Sequence, residues 1–256
     1  MRHSNELGLS GTPSILYCRG TSAWTEKLFS CLEVLSMCRL CLSAVVLELM
    51  ISTLALAAPS SYVAWTTETV RLIRDGDPLI GKQLAYGCAG CHGTEGLSVS
   101  PAYPHIAGQD AFYLFKQLHD FKDKTRNNPQ MTGIAASLSE KDMADIAAYY
   151  AAMQGAPPVR GSSHSAVVDL VRRGQGSRMI PACSGCHGPG GKGNSGYYGM
   201  PVLAGQKAVY ISIALRQYRV GDRANDVYSV MRAIAENLTD NEITALGKYY
   251  ATQDPR

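Results

Sequence analysis

The sequence predicts an all-α protein made of two similar helical domains in tandem. Three observations carry that prediction. A C-x-x-C-H pentapeptide occurs twice, as Cys88-Ala89-Gly90-Cys91-His92 and as Cys183-Ser184-Gly185-Cys186-His187. The same order of segments follows each copy, at an offset that two small insertions carry from 95 at Cys88/Cys183 to 97 at Gln109/Gln206 and 100 at Met131/Met231 and Tyr150/Tyr250. Apolar residues then recur at helical spacing behind helix-capping sequences, which is the signature of amphipathic helices rather than strands.

C-x-x-C-H is the attachment signature of c-type haem. Its two thiols add across the haem vinyl groups, and two intervening residues on a helical turn bring both sulfurs to one edge of the porphyrin. The adjacent imidazole then lies under the iron as an axial ligand. A C-x-x-C pair is also half of many zinc sites. The repeat separates the two readings, because a Met stands at matching places in both copies and Met is a poor structural zinc ligand. Cys88, Cys91, Cys183 and Cys186 are the expected attachment points of two haems, each wrapped by one domain, and His92 and His187 are the expected iron ligands.

The chain's 256 residues are enough for two domains with a core each. A formal charge of +3, reduced to about −1 (3 − 4) by two propionates per haem, leaves no broad basic face and argues against nucleic acid as a partner. Four of the eight Cys belong to the haem motifs, and Cys18, Cys31, Cys38 and Cys41 all lie in the N-terminal segment, so the remainder has no thiol left for a bridge. Cys38 and Cys41 lack a following His and are not a third haem motif.

Residues 1–57 read as an export signal. From Met37 a positive charge at Arg39 precedes a mostly apolar run from Leu42 to Leu56, and Ala55-Leu56-Ala57 is a small-x-small cleavage site. Residues 1–36 show no usable periodicity, so translation is expected to start at Met37 and cleavage to follow Ala57. The competing reading is an uncleaved anchor, but the run contains Glu48 and is short of the roughly 20 residues needed to span a bilayer. Export suits a protein whose haem is attached outside the bacterial cytoplasm.

The first domain is placed at residues 68–154. Asp77-Pro78 starts a helix that carries Leu79 to Tyr86 toward the first haem motif, Pro being suited to a first helical position. Gly93, Gly96, Pro101 and Pro104 mark a loop. A helix after Gln109 places Leu114, Leu118 and Phe121 on one face, and a last helix opens at Ser139-x-x-Asp142, a capping-box pattern. Met143, Ile146, Ala147 and Tyr150 line its face, most simply as core. Residues 155–163, rich in Gly, Pro and Ser, form the linker. The second domain, 164–256, repeats the pattern with Ile211, Leu215 and Tyr218, then a better capping box at Thr239-x-x-Glu242, then Ile243, Leu246, Gly247 and Tyr250.

Iron held by His and Met is the arrangement of electron-transfer cytochromes. A single Met in an apolar context fills gaps in a core. Equal placement in both copies favours ligation instead, so Met131 and Met231 are the expected second ligands. Met143 and Met200 have no Met counterpart. His105 and His119 compete as distal ligands in the first domain, yet their repeat partners are Val202 and Arg216. His164 sits at the linker and reads as solvated.

These motifs together resemble the dihaem cytochrome c4 family, two class I cytochrome c domains in tandem, over roughly residues 68–256. The resemblance is carried by CAGCHG and CSGCHG, by the P-x-x-AGQ segments at Pro104–Gln109 and Pro201–Gln206, by Ile180-Pro181-Ala182-Cys183, and by the Met-to-Tyr-Tyr segments. It implies two helical domains facing each other about a pseudo-twofold axis. It also implies a periplasmic carrier that takes electrons from a quinol-oxidising complex to terminal oxidases of the haem-copper type, with peripheral contact to the membrane. Class I cytochromes orient the axial imidazole with a Pro carbonyl, and register selects Pro104 and Pro201 over Pro101 and Pro189. Two other functions compete. A cytochrome subunit of a flavin-containing dehydrogenase, such as sulfide dehydrogenase, has the same tandem form. A dihaem peroxidase needs an open iron position, which matched Met ligands would close.

Overall fold

The computed structural model describes residues 60–161 and 165–255, whose regular secondary structure is helical apart from one isolated bridge between Gln175 and Ile180. The expected export signal, its four Cys and His164 lie outside the described residues. Among the described residues no helix is long and apolar enough to cross a membrane.

The first half runs α1 (Thr67–Arg74), α2 (Pro78–Leu84), α3 (Tyr86–His92), α4 (Ala111–Lys122), α5 (Pro129–Ala135) and α6 (Glu140–Ala151). The second runs α7 (Ser165–Arg173), α8 (Cys183–His187), α9 (Ala208–Val220), α10 (Val230–Glu236) and α11 (Asp240–Ala251). From the haem motif onward the α-helices of the two halves match one for one, and the second half adds 3₁₀ turns at Pro189–Gly191 and Val227–Ser229. Before it they differ, since α1 and α2 precede the first motif whereas α7 and a short 3₁₀ turn at Gly176–Arg178 precede the second.

Local sequence sets the helix starts. The Asp77 carboxylate accepts from the N–H of Leu79 (2.8 Å) and Ile80 (3.3 Å), with Pro78 at the first helical position. The helix then stops earlier than the sequence suggests. Ala85 turns at ψ −7°, the Cys88 N–H bonds back to Ala85 O at 2.9 Å, and the haem motif rides a separate helix, α3. Both capping boxes close. Ser139 N–H and Thr239 N–H each donate to the carboxylate three residues on at 2.8 Å, so the Asp box is as well formed as the Glu box.

Each half has its own core. One gathers Ile73, Leu114, Phe115, Met143, Ile146 and Tyr150; the other gathers Val171, Ile180, Ile211, Leu215, Ile243 and Tyr250. Tight helix crossings bring the last helix of each half close to its neighbour. A Cβ on Gly81 would stand 2.0 Å from Asp145 O, and one on Gly247 would stand 2.5 Å from Ala208 O, so only Gly lets α2 reach α6 and α9 reach α11.

The halves meet along a seam with aromatic and polar parts. Phe112 stacks on Tyr198 with ring centroids 4.5 Å apart, and Trp65 closes the cluster at 5.9 Å from each. Buried Lys116 donates to Asp120 Oδ2 (2.5 Å) and to Asn225 O (2.6 Å) across the seam. Arg223 donates to the Tyr113 hydroxyl and to Gln117 Oε1, both at 3.0 Å.

Candidate haem centres

Each haem motif occupies a short helix that ends at once after its His. Gly93 (φ 83°) and Gly188 (φ 75°) follow the imidazoles in backbone conformations that side-chain-bearing residues rarely adopt, so the chain turns away from the motif. The loop then returns a Pro to the ring. Pro104 O lies 3.0 Å from His92 Nδ1, and Pro201 O lies 3.1 Å from His187 Nδ1. A carbonyl can only accept, so Nδ1 carries the proton and Nε2 keeps a free lone pair. Burial holds both imidazoles below the usual His range, which keeps them neutral, as a metal ligand must be. The competing prolines take other roles, Pro101 exposed and Pro189 in a 3₁₀ turn.

The thiols sit at matched places. Burial pushes Cys88 and Cys183 above the usual thiol range, with Tyr150 and Tyr250 placing their hydroxyls beside these sulfurs. Among the described residues no group of three His, Cys, Asp or Glu is placed to hold a metal ion. Two thiols and one imidazole with an unused lone pair fit covalent haem attachment and an axial bond. The Tyr250 hydroxyl is buried with no well-formed hydrogen bond, a polar atom at the edge of the same site.

The other predicted residues are placed as follows. Met131 lies in α5 and Met231 at the same place in α10, both half-buried; the Met131 N–H is capped by Asn128 Oδ1 at 3.0 Å, and Met231 borders the second core. Met143 is fully buried inside the first core, and Met200 directly precedes Pro201. His119 stands near carboxylates, with Nδ1 2.8 Å from Asp123 and Nε2 3.6 Å from Glu140, although Nδ1 makes no well-formed hydrogen bond. His105 lies in a loop at the seam, and burial lowers its pKa to about 4, helped by Lys207.

Three residues are absent from the sequence-level site. Gln130 Nε2 reaches Cys91 Sγ at 3.5 Å, without a counterpart at Val230. Gln109 and Gln206 cross the seam to backbone groups beside the two orienting prolines. Their repetition in the AGQ segments was the available signal, but repetition alone does not say what an amide touches.

Comparison with known proteins agrees with this geometry. The family model described as Cytochrome c matches residues 79–154 and 174–253. Cytochrome c4 of Pseudomonas aeruginosa is 40% identical over 176 residues, covering 68% of this chain and 87% of that protein. A protein of Stutzerimonas stutzeri named thiosulfate dehydrogenase electron acceptor is 40% identical over 173 residues, covering 65% and 79%. The crystal structure of reduced recombinant cytochrome c4 from Pseudomonas stutzeri superposes with a TM-score of 0.64 at 36% identity, covering 70% of this chain and 99% of that one. With two haem motifs, two cores and two matched imidazole–proline pairs, the chain belongs to the dihaem cytochrome c4 family of electron carriers and holds two covalently attached haems c.

Proposed function

We propose that this protein is a periplasmic carrier that accepts electrons from a quinol-oxidising complex and delivers them to a haem-copper terminal oxidase or a reductase. Residues 1–57 direct export, 68–154 and 164–256 are the two cytochrome domains, and 155–163 link them. Cys88 and Cys91 hold one haem, Cys183 and Cys186 the other. His92 with Met131, and His187 with Met231, ligate the irons.

The observation that carries this reading is the duplicated imidazole–carbonyl pair, 3.0 Å in one half and 3.1 Å in the other. When bound, the haem iron supplies a one-electron couple. The protein's part is to hold it. Each Pro carbonyl fixes the imidazole's tautomer and orientation and raises its basicity. A Met thioether as second ligand would favour ferrous iron and raise the potential. With His92 and Met131, and His187 and Met231, as its ligands, a bound iron would have no position left for a substrate. The matched positions of Met131 and Met231 and the engagement of Met143 in the core support this ligand set.

A spectroscopic redox titration of the mature holoprotein tests it. Two low-spin His–Met haems with positive potentials are expected; a high-spin iron in the oxidised protein would refute the reading and favour a peroxidase, checked by hydrogen peroxide turnover. The likeness to a thiosulfate dehydrogenase electron acceptor favours a second reading, a dedicated acceptor or subunit of a dehydrogenase, the flavin-containing kind included. A carrier releases its partner after each electron, and redox encounters bury under about 1,200 Å² in total. Co-purification in a stable stoichiometric complex would select the subunit reading.

A further inference from the structure

The Pro104–His105 peptide joins an expected iron ligand in one half of the molecule to a side chain in the other. Its carbonyl accepts from His92 Nδ1 at 3.0 Å, and its N–H donates to Gln206 Oε1 at 3.0 Å. Gln206 Nε2 in turn donates to His105 O at 2.8 Å. The second half mirrors this arrangement. The carbonyl of the Pro201–Val202 peptide accepts from His187 Nδ1 at 3.1 Å, and its N–H donates to Gln109 Oε1 at 2.7 Å. Gln109 Nε2 donates to Val202 O at 2.9 Å.

The orientation of both amides is determined by their surroundings. Oε1 of Gln206 also accepts from the Lys207 N–H, and Oε1 of Gln109 from the Asp110 N–H. Two N–H groups therefore converge on each oxygen and a carbonyl faces each nitrogen, so turning either amide over would set donor against donor. Both side chains are only 6% exposed, which leaves water little access to replace them. All the groups bracketed are backbone, which is why His105 and Val202 can differ while the bracket repeats.

We propose that Gln206 and Gln109 are positioning residues that act crosswise, each setting the strength of the hydrogen bond on the axial imidazole of the opposite half. A peptide whose N–H is hydrogen-bonded is polarised and becomes a better acceptor at its carbonyl. A better acceptor at Nδ1 makes the imidazole a stronger donor to iron, favouring the ferric state. Each Gln therefore lowers the potential of the haem in the other half. The proposal rests on His92 and His187 being the axial ligands.

The test is a redox titration of Gln206→Met and Gln109→Met holoproteins with the two haems resolved. Gln206→Met is expected to raise the potential of the haem on Cys88 and Cys91 and leave the other in place; Gln109→Met does the reverse. In the reduced protein the Nδ1 proton resonance of His92 moves upfield only in Gln206→Met, and that of His187 only in Gln109→Met. A shift confined to the variant's own half, an equal shift of both haems, or no shift overturns the proposal. If a variant fails to load haem, amide exchange in the unaltered holoprotein decides: the His105 and Val202 N–H groups are expected to be as protected as neighbouring helix amides, and free exchange overturns the bracket. A null result with His–Met spectra intact removes the bracket alone, whereas spectra lacking His–Met ligation remove the ligand reading and the bracket with it.

Discussion

At the scale of single residues, the site is built by fixing one proton. The Nδ1 proton of His92 goes to Pro104 O and that of His187 to Pro201 O, so each imidazole offers its Nε2 lone pair in one orientation. The opposite face is the assignment that mutation tests most directly. Replacing Met131 or Met231 with Ala should open one iron without detaching its haem, since the thioether bonds are made by Cys residues distant in sequence. The far-red Met-to-iron charge-transfer band of the oxidised protein should fall by about half in each single variant and vanish in the double, with a lower potential at the affected haem. A full band in either single variant would return that Met to packing.

At the scale of elements, two features can be separated by experiment. Gly81 lies where α2 crosses α6, and an added methyl there meets backbone rather than a movable side-chain end. Gly81→Ala should cost about 1–3 kcal/mol, as overpacking does. A denaturant titration of the holoprotein measures the loss, and an unchanged midpoint would show that the crossing gives way to the methyl. The second feature is Glu242, which closes the α11 capping box and also takes both terminal nitrogens of Arg178 at 2.7 Å. The Arg178 hydrogen bonds lower its pKa from 4.5 to about 2, with Thr239 adding to the effect. A depressed carboxylate stabilises the fold fully above pH 4.5, and that contribution is lost as pH falls through about 2. Arg178→Met should therefore be less stable than the unaltered protein near neutrality, with the gap closing as pH approaches 2. A gap that stayed constant with pH would show that Arg178 acts by packing.

At the scale of the whole molecule, the seam makes the two halves one object. Asp120 is wholly buried and faces Lys116, while Asn225 comes from the other half to both of them. Such a pair is weak evidence of net stabilisation, but removing one partner leaves a buried charge uncompensated, at about 3–5 kcal/mol. Asp120→Asn should lose stability of that order and uncouple the halves, so that the two haems report separate unfolding midpoints. Coincident midpoints in the variant would mean that the aromatic contacts of Trp65, Phe112 and Tyr198 hold the seam without the ion pair.

The sequence by itself determined the helical class, the duplication, the two attachment motifs and the starts of the last helices. Those features depend on residues close together in the chain: two thiols and an imidazole within five positions, a hydroxyl and a carboxylate three apart, apolar side chains one turn apart. Family resemblance and register also singled out Pro104 and Pro201. Tertiary structure decided the break at Ala85, the placing of His105 at the seam, the carboxylates beside His119 and the crossed grips of Gln109 and Gln206. The physical reason is that these contacts join residues far apart in sequence or depend on how neighbouring elements pack. At the seam the group being gripped is backbone, which every residue carries, so no side-chain pattern marks it.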